Sequence, residues 1–599
     1  MNEQRAQAYV NLIEQLLARA DDEELNNILQ ANQELIDPQF LQVMENYATG
    51  LEEQGNNHPA AWLRDMVQHL GQFLNPQAGS IEEYQKFLSE VLQAEWESNS
   101  DPTVVYPILQ RGQHLLDDIF AQLLQQWARN VFSQGKPEEV AGIVGVIQNL
   151  CVDIQNFPLG SWANNPEIAI TGYQTLLEVY TRQASPEKWA RIQNNLGNAY
   201  SKRIRGERAE NLELAIVAYN QSLEVYTRDA FPYEWARVQN NLGNAYSKRI
   251  RGERADNLEL AIVACNLSLE VYTRDAFPYE WAVTQNNLGN AYSKRILGEK
   301  ADNLELAIVA YNLSLEVLTR DAFPEDWAVT QNNLGSAYIN RIQGDIVENI
   351  ETAIFCYQEA LKIRTFDAFP LDWATTQNNL GNAYSKRIRG NKAENIENAI
   401  VCYQEALQIY TRQAFPGDWA ETQYNLANTL RERFKLLGKV TDIQQAINSY
   451  KQAGEIIEKT EDKTLYFNYS YQLGKALFEG GYYTEAIEHL ENCQQLYQKQ
   501  KDISSLAPIL LELARLYHRT GRLEQARLYF KDSLRLFRRL GDQDNVASVT
   551  TALGNLEIQI GKISQACSHL KEAQTYYQEN NNSERLEEIN YLLKILQSA

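Results

Sequence analysis

The chain of 599 residues carries 55 Lys and Arg against 78 Asp and Glu, a formal charge of -23, and 44% of it is apolar. An apolar share of that size fills a core, which excludes a disordered chain, and only 30 Gly and 15 Pro suit long helices and disfavour a β-sandwich. Acidity gathers at the start: residues 1–160 hold 23 acidic and 7 basic side chains, which argues there against binding nucleic acid or an anionic membrane surface.

In chain order, the opening MNEQRAQAYVNLIEQLL has acidic residues and no unbroken apolar core, so no signal peptide is read. No stretch approaches the roughly 18 apolar residues of a membrane span. The six cysteines, Cys151, Cys265, Cys356, Cys402, Cys493 and Cys567, show no framework spacing and read as reduced core thiols of a cytoplasmic protein. An acidic N-terminal helical region is expected over 1–160. Within it Asn75-Pro76-Gln77-Ala78-Gly79 marks a boundary near 75–80, Ser80-Ile81-Glu82-Glu83 is a capping box, and Asp101-Pro102 is a cap followed by a first-turn proline. Residues 156–166 lead into an array, and Ala169–Tyr180 already reads as the second helix of a degenerate unit.

From Trp189 onward the chain repeats. Trp189, Trp235, Trp281, Trp327, Trp373 and Trp419 open units of one fixed length, 46 residues, and the second copy differs from the first at four positions. In each unit a first helix carries the apolar stripe Trp189, Ile192, Leu196, Ala199 and Tyr200. A proline stands before it: Pro186, Pro232, Pro278, Pro324, Pro370 or Pro416. Gly206, Gly252, Gly298, Gly344 and Gly390 are expected to stop that helix in a left-handed cap. Asn211 is expected to cap a second helix whose apolar face is Leu212, Ala215, Ile216, Tyr219, Leu223 and Val225, with Ala215 and Ser222 small enough for close approach. The units therefore predict an all-α fold, an α-solenoid of antiparallel helix pairs. This array is expected over 161–434. Leu473, Leu513 and Leu553, with Ala486, Ala526 and Ala566, set a shorter period of 40 residues over 435–582. A capping helix over 583–599 ends the chain.

The run N-L-G-N-A-Y followed by A-I-x-x-Y-x-x-S-L resembles the tetratricopeptide repeat signature, Leu-Gly and Tyr in helix A, then Ala, an aromatic and a small residue in helix B. Two six-residue extensions separate these units from the family's 34 residues, and Gln193 stands where the family has an early aromatic. The units of the shorter period keep only the outer extension. The whole chain is similar to bacterial multi-repeat proteins, kinesin-light-chain-like ones included, a type often fused to a CHAT protease domain, which is absent here. The resemblance implies a right-handed superhelix and an inner groove formed by helix A positions around the signature Leu.

Mapped onto this chain, those positions hold carboxamides and lysines. Two before Leu stand Asn194, Asn240, Asn286, Asn332 and Asn378, and two after it Asn198, Asn244, Asn290 and Asn382. Six after it come Lys202, Lys248, Lys294 and Lys386, and five before it Arg191 and Arg237, then Val283, Val329, Thr375 and Glu421. Asn is a poor helix residue, so its repetition invites a reason. One reading is that the amides, each donor and acceptor, grip the main chain of an extended peptide, with lysines favouring acidic residues or a free C-terminus. The other is structural, with Asn195, Asn241 and Asn287 bonding between helices and the remaining Asn satisfying neighbouring repeats. Arg203 and its equivalents are expected to pair with Glu of the same loop, and the Trp series to pack between repeats.

Near-identical units present the same groups at each step, whereas catalysis needs different groups converging. No catalytic, cofactor or metal site is therefore assigned. Gly197–Lys202 lacks phosphate-loop spacing, and Cys567 and His569 point to different faces. The expected function is a non-enzymatic scaffold or adaptor for protein segments, with a second, basic partner at the acidic N-terminal region. The alternative is a regulatory or sensor subunit for a separately encoded CHAT-like protease. Nucleic acid is disfavoured, because the 46-residue unit has as many acidic as basic side chains and no aromatic row to stack bases. No membrane partner is expected.

Overall fold

A computed structural model describes residues 3–18, 38–53, 80–161, 163–459 and 463–598, with isolated positions between 28 and 67. The boundary expected near 75–80 lies almost wholly outside the described residues. These residues are helical or in turns, and they divide into two compact units, 1–272 and 273–599.

The first unit contains α1 (Glu3–Ala18), α2 (Pro38–Glu53), α3 (Ile81–Ser98), α4 (Pro102–Arg111), α5 (Asp118–Gln134), α6 (Pro137–Asn156), α7 (Asn164–Val179), α8 (Pro186–Lys202), α9 (Arg208–Leu223), α10 (Pro232–Lys248) and α11 (Arg254–Leu269). Ser80 and Glu83 form the expected capping box on α3, and Asp101 caps α4 with Pro102 at its first turn. Tyr9, Phe40 and Met44 belong to a small separate core. From Tyr84 to Ala264 one core is continuous. The helices of 80–160 thus share their interior with the repeats. Helices α6 and α7 pack as a pair, with Leu150 and Cys151 standing one period before Leu196 and Gly197.

The second unit contains α12 (Pro278–Lys294), α13 (Lys300–Leu315), α14 (Pro324–Asn340), α15 (Ile346–Leu361), α16 (Pro370–Lys386), α17 (Lys392–Ile409), α18 (Pro416–Leu437) and α19 (Val440–Ile457), and then the shorter-period pairs. Those are α20 (Lys463–Glu479) with α21 (Tyr483–Gln500), α22 (Ile503–Arg519) with α23 (Leu523–Leu540), α24 (Gln543–Gln559) with α25 (Ile563–Glu579), and the single α26 (Ser583–Ser598).

Each pair is antiparallel. Along α8 and α9, Ser222 Oγ donates to Ala190 O at 2.8 Å, Tyr219 OH to Asn198 Oδ1 at 2.7 Å, and Asn211 reaches Arg203 at the turn. The signature glycine makes this possible. A Cβ on Gly289 would lie 2.6 Å from the Tyr311 ring, so the helix B tyrosine rests directly on the helix A backbone. Gly289→Val is expected to cost about 2 kcal/mol, the usual scale of overpacking, read as a lower urea midpoint.

Two local expectations are corrected. Helix A ends at Lys202 in an extended Arg203, and Gly206, with φ of 74°, turns the loop three residues later. Asn211 is not the cap: α9 begins at Arg208, and Asn211 lies buried in its first turn, donating back to Arg205 O at 2.9 Å. The side chain satisfies loop carbonyls that a cap position would not reach. The sixth copy lacks the loop glycine at its register, so α18 runs on to Leu437 and stops at Gly438, φ 68°.

Candidate functional site

The rows of helix A residues do different work. Asn194 is buried, and its Oδ1 accepts from Asn241 Nδ2 of the next repeat at 3.0 Å. In the second unit Asn333 donates to Asn286 and Asn379 to Asn332, both at 3.1 Å. Asn194, Asn286 and Asn332 therefore tie one repeat to the next and do not face an open groove. Asn240 is half-buried, and Asn378 is half-buried with a carbonyl oxygen that no donor reaches.

The row two after Leu is half-exposed and serves the buried tyrosine of helix B. Asn290 Oδ1 accepts from Tyr311 OH and Asn382 Oδ1 from Tyr403 OH, both at 2.8 Å, as Asn198 does from Tyr219. In the second copy Cys265 replaces that tyrosine. Asn244 then has no phenol to accept from.

Around Asn244 the first unit opens a cavity of about 340 Å³ lined by Asn156, Asn195, Asn198, Lys202, Asn241, Asn244 and Lys248. Four of the expected residues, Asn198, Lys202, Asn244 and Lys248, thus converge on one space. Lys202 Nζ donates to Asn156 Oδ1 at 2.9 Å, a neutral partner. Its walls desolvate the ammonium and hold its pKa below the usual lysine value. Asn156 stands one period before Lys202, so the repeat register alone locates it, although the sequence reading stopped at the recognisable units. In the second unit Asn382 and Lys386 line another cavity of about 640 Å³ with Asn428 and Glu432. Asn290 and Lys294 line neither.

Arg191 is exposed and Arg237 half-buried. Both lie near the Tyr226 phenol and oppose the rise in its pKa that burial causes. Glu421, at the same register in the sixth copy, is held above the usual glutamate range by burial and by Asp418.

Most loop arginines do not pair within their own loop, although Arg433 of the sixth copy holds Asp442 of its own pair through two bonds of 2.8 Å. Arg203 grips Glu167 with two bonds of 2.7 and 2.9 Å, and Arg249 grips Glu213 with two of 2.8 Å, each partner lying in helix B of the preceding pair. Arg341 with Glu305 and Arg387 with Glu351 repeat this in the second unit. The stacking of pairs brings the older helix closer than the loop's own acids, so these planar, two-point bonds join repeats. The tryptophans pack as expected, with Arg228 over Trp235 and Arg274 over Trp281 at 5.7 Å. Where Phe366 replaces that arginine, an edge-to-face ring pair with Trp373 at 5.2 Å stands in for it.

Five cysteines are buried free thiols, and Cys567 is half-exposed. His569 Nδ1 bonds buried Glu557 at 2.7 Å. Among the described residues no cluster of His, Cys, Asp and Glu is arranged to hold a metal, and no helix is long and apolar enough to cross a membrane.

The architecture defines a helical-repeat protein in which most longer-period pairs share the Leu-Gly, Tyr and Ala contacts. Part of the chain carries tetratricopeptide repeats: residues 505–579 match the family model described as tetratricopeptide repeat, and residues 371–501 match that of the soluble NSF attachment protein, SNAP. No curated protein matches the sequence. Among solved structures, the chain is similar to an IFIT1 monomeric mutant with Gppp-AAAA (14% identity, 88% of this chain and 100% of that one, TM-score 0.41). It is also similar to the Cut9-Hcn1 hetero-tetramer of the APC/C (15%, 93% and 96%, 0.35). A third likeness is to a signal transduction ATPase with a tetratricopeptide repeat sensor from Pyrococcus horikoshii (12%, 78% and 74%, 0.38).

Proposed function

We propose that the chain is a non-enzymatic scaffold that holds an extended protein segment against the helix A face, its acidic side chains or C-terminal carboxylate directed to the lysines. The observation that supports this most is the convergence of Asn198, Asn244, Lys202 and Lys248 on one cavity whose lining is of amides, lysines and apolar or hydroxyl side chains. Unengaged amide donors beside Lys suit a backbone with a nearby negative charge. The acidic N-terminal region is proposed to receive a basic second partner.

The test compares capture of partners from native lysate by the intact protein and by Lys202→Glu, Asn244→Ala, Lys248→Glu, after matching their helicity and melting. These side chains lie outside the buried repeat interfaces, so the fold is expected to persist. At least a tenfold loss of one captured protein is expected. Equal capture by both would remove this cavity from the binding surface.

A further inference from the structure

The inner extension builds a feature that the groove reading does not use. In the second unit Ile296, Ile342 and Ile388 occupy one register of the turn between helices A and B, and each exposes more than half of its surface, Ile388 59%. Ile346, Leu437 and Val440 add to the same edge and are also exposed. Successive turns are stacked together, since Arg341 reaches Glu305, Arg387 reaches Glu351 and Arg433 reaches Glu397, each in the pair before. Single exposed apolar residues are ordinary, but a contiguous row of them marks an interaction surface.

The fold does not require these isoleucines. The turn is shaped by Gly344 at φ 79° and by Asn349 donating to Gln343 O at 2.9 Å. The shorter-period pairs turn at Gly481, Gly521 and Gly561 without this loop. The apolar edge therefore belongs to the extension itself, and Ile204 and Ile250 repeat it in the first unit.

Charge names the occupant. At Ile388 the edge opens into the cavity of about 640 Å³, where Ile388 and Ile396 stand beside Lys386 and Lys392. Arg387 is neutralised by Glu351 at 2.8 Å and Glu432 by Lys435 at 2.8 Å. Lys386 forms no ion pair among the described residues, and Lys392 acts on Glu432 only at a distance, without a close ion pair, so the cavity keeps an excess of positive charge beside apolar surface. The volume falls within the range of ordinary ligand pockets.

We propose that this turn edge is a second docking surface for an acidic segment bearing large aliphatic side chains. An aliphatic residue enters beside Ile388, and carboxylates meet Lys386 and Lys392. The inference rests on the groove reading only at Lys386, which both surfaces share.

The probe is a labelled synthetic peptide of alternating Glu-Glu and Leu-Leu pairs, titrated by fluorescence anisotropy against the full chain. Two variants are compared, Ile342→Ser with Ile388→Ser, and Lys386→Glu with Lys392→Glu, both at exposed sites and checked by thermal melting. Binding is expected to weaken at least tenfold in each. Peptides with Lys-Lys for Glu-Glu, or Ser-Ser for Leu-Leu, are expected to bind at least tenfold more weakly than the probe. Undiminished binding by the isoleucine variant, or no binding to the intact chain, overturns the proposal. So does self-association abolished by the same substitutions, because the edge would then be an interface between copies. The variant at Lys202, Asn244 and Lys248 is expected to bind this peptide normally, so the groove and the edge fail independently.

Discussion

Glu479→Ala is expected to destabilise the junction between the two repeat periods by about 3–5 kcal/mol, the scale for stranding one member of a buried ion pair. Arg431 exposes only 5% of its side chain. Its guanidinium meets Glu479 through two bonds, 2.5 Å from Nε and 2.7 Å from Nη2, and Gln472 Oε1 through a third at 2.7 Å. Without Glu479 the charge keeps only neutral partners, Gln472 and the Tyr450 hydroxyl, in a site already removed from water. Arg431→Met with Glu479→Leu is expected to recover most of the loss, since apolar replacements of similar volume often match a buried pair. Repeat arrays need not unfold in one step. Hydrogen exchange across 416–437 and 463–479 is therefore the better readout, and unchanged protection in Glu479→Ala would show that Arg431 reaches solvent. Arg431 stands five after the signature Leu426, where earlier copies have Ser201, Ser247 or Ser385. The arginine thus takes a helix A position that is serine in most of the earlier copies.

Much of the fold was legible because the period was. A fixed spacing of Pro, Leu-Gly, Tyr and Ala placed the start of each longer-period helix A at its proline and each helix B against it, though not the residue at which helix A stops, and Ser583–Ser598 folds as the final helix read from its sequence. What periodicity conceals is which copy a residue addresses. The helix B glutamate recurs from step to step, so Arg203 has an acid nearby in its own loop and another 36 residues back, and only the stacking of pairs selects Glu167. The same blindness affected the asparagines. Spacing showed that Asn194 and Asn198 share a helix face, but one is closed under the next repeat's Asn241 while the other borders a cavity. Departures from the repeat were the better guide to the site. Cys265 in place of tyrosine frees Asn244, and Asn156 in place of lysine marks a repeat register hidden in the N-terminal region. The exposed isoleucines were visible as letters, yet an apolar residue in a repeat unit reads as core until its exposure is known.

Raising the pH from 6 to 9 is expected to weaken the first unit, and Glu95→Gln is expected to remove most of that loss. Glu95 on α3 and Asp153 on α6 are buried together, and among the described residues no Lys or Arg pairs with either. Burial is the main cause that lifts Glu95 to about 8, with the Asp153 charge adding to it and the Ser100 hydroxyl opposing it; burial also lifts Asp153. Cys151 and Tyr173, the other titratable groups beside the pair, are held protonated by the same desolvation. The sign follows from proton linkage: an acid with a raised folded pKa binds more protons folded than unfolded between the two values, so stability falls with rising pH there. Below the ordinary glutamate range the two states bind equally, and above about 8 the penalty is complete. Ionisation then places a charge beside another carboxyl group in a core that runs from Tyr84 into the repeats. The amide keeps the shape and carries no charge, so at pH 9 Glu95→Gln is expected to exceed the parent by about 2 kcal/mol, or roughly 4 °C in melting temperature. At pH 5 the two are expected to melt within a degree or so of each other, because the carboxyl is then protonated in the folded state. Parallel melting curves at both pH values would mean that the acid pair is neutralised by something other than its own proton.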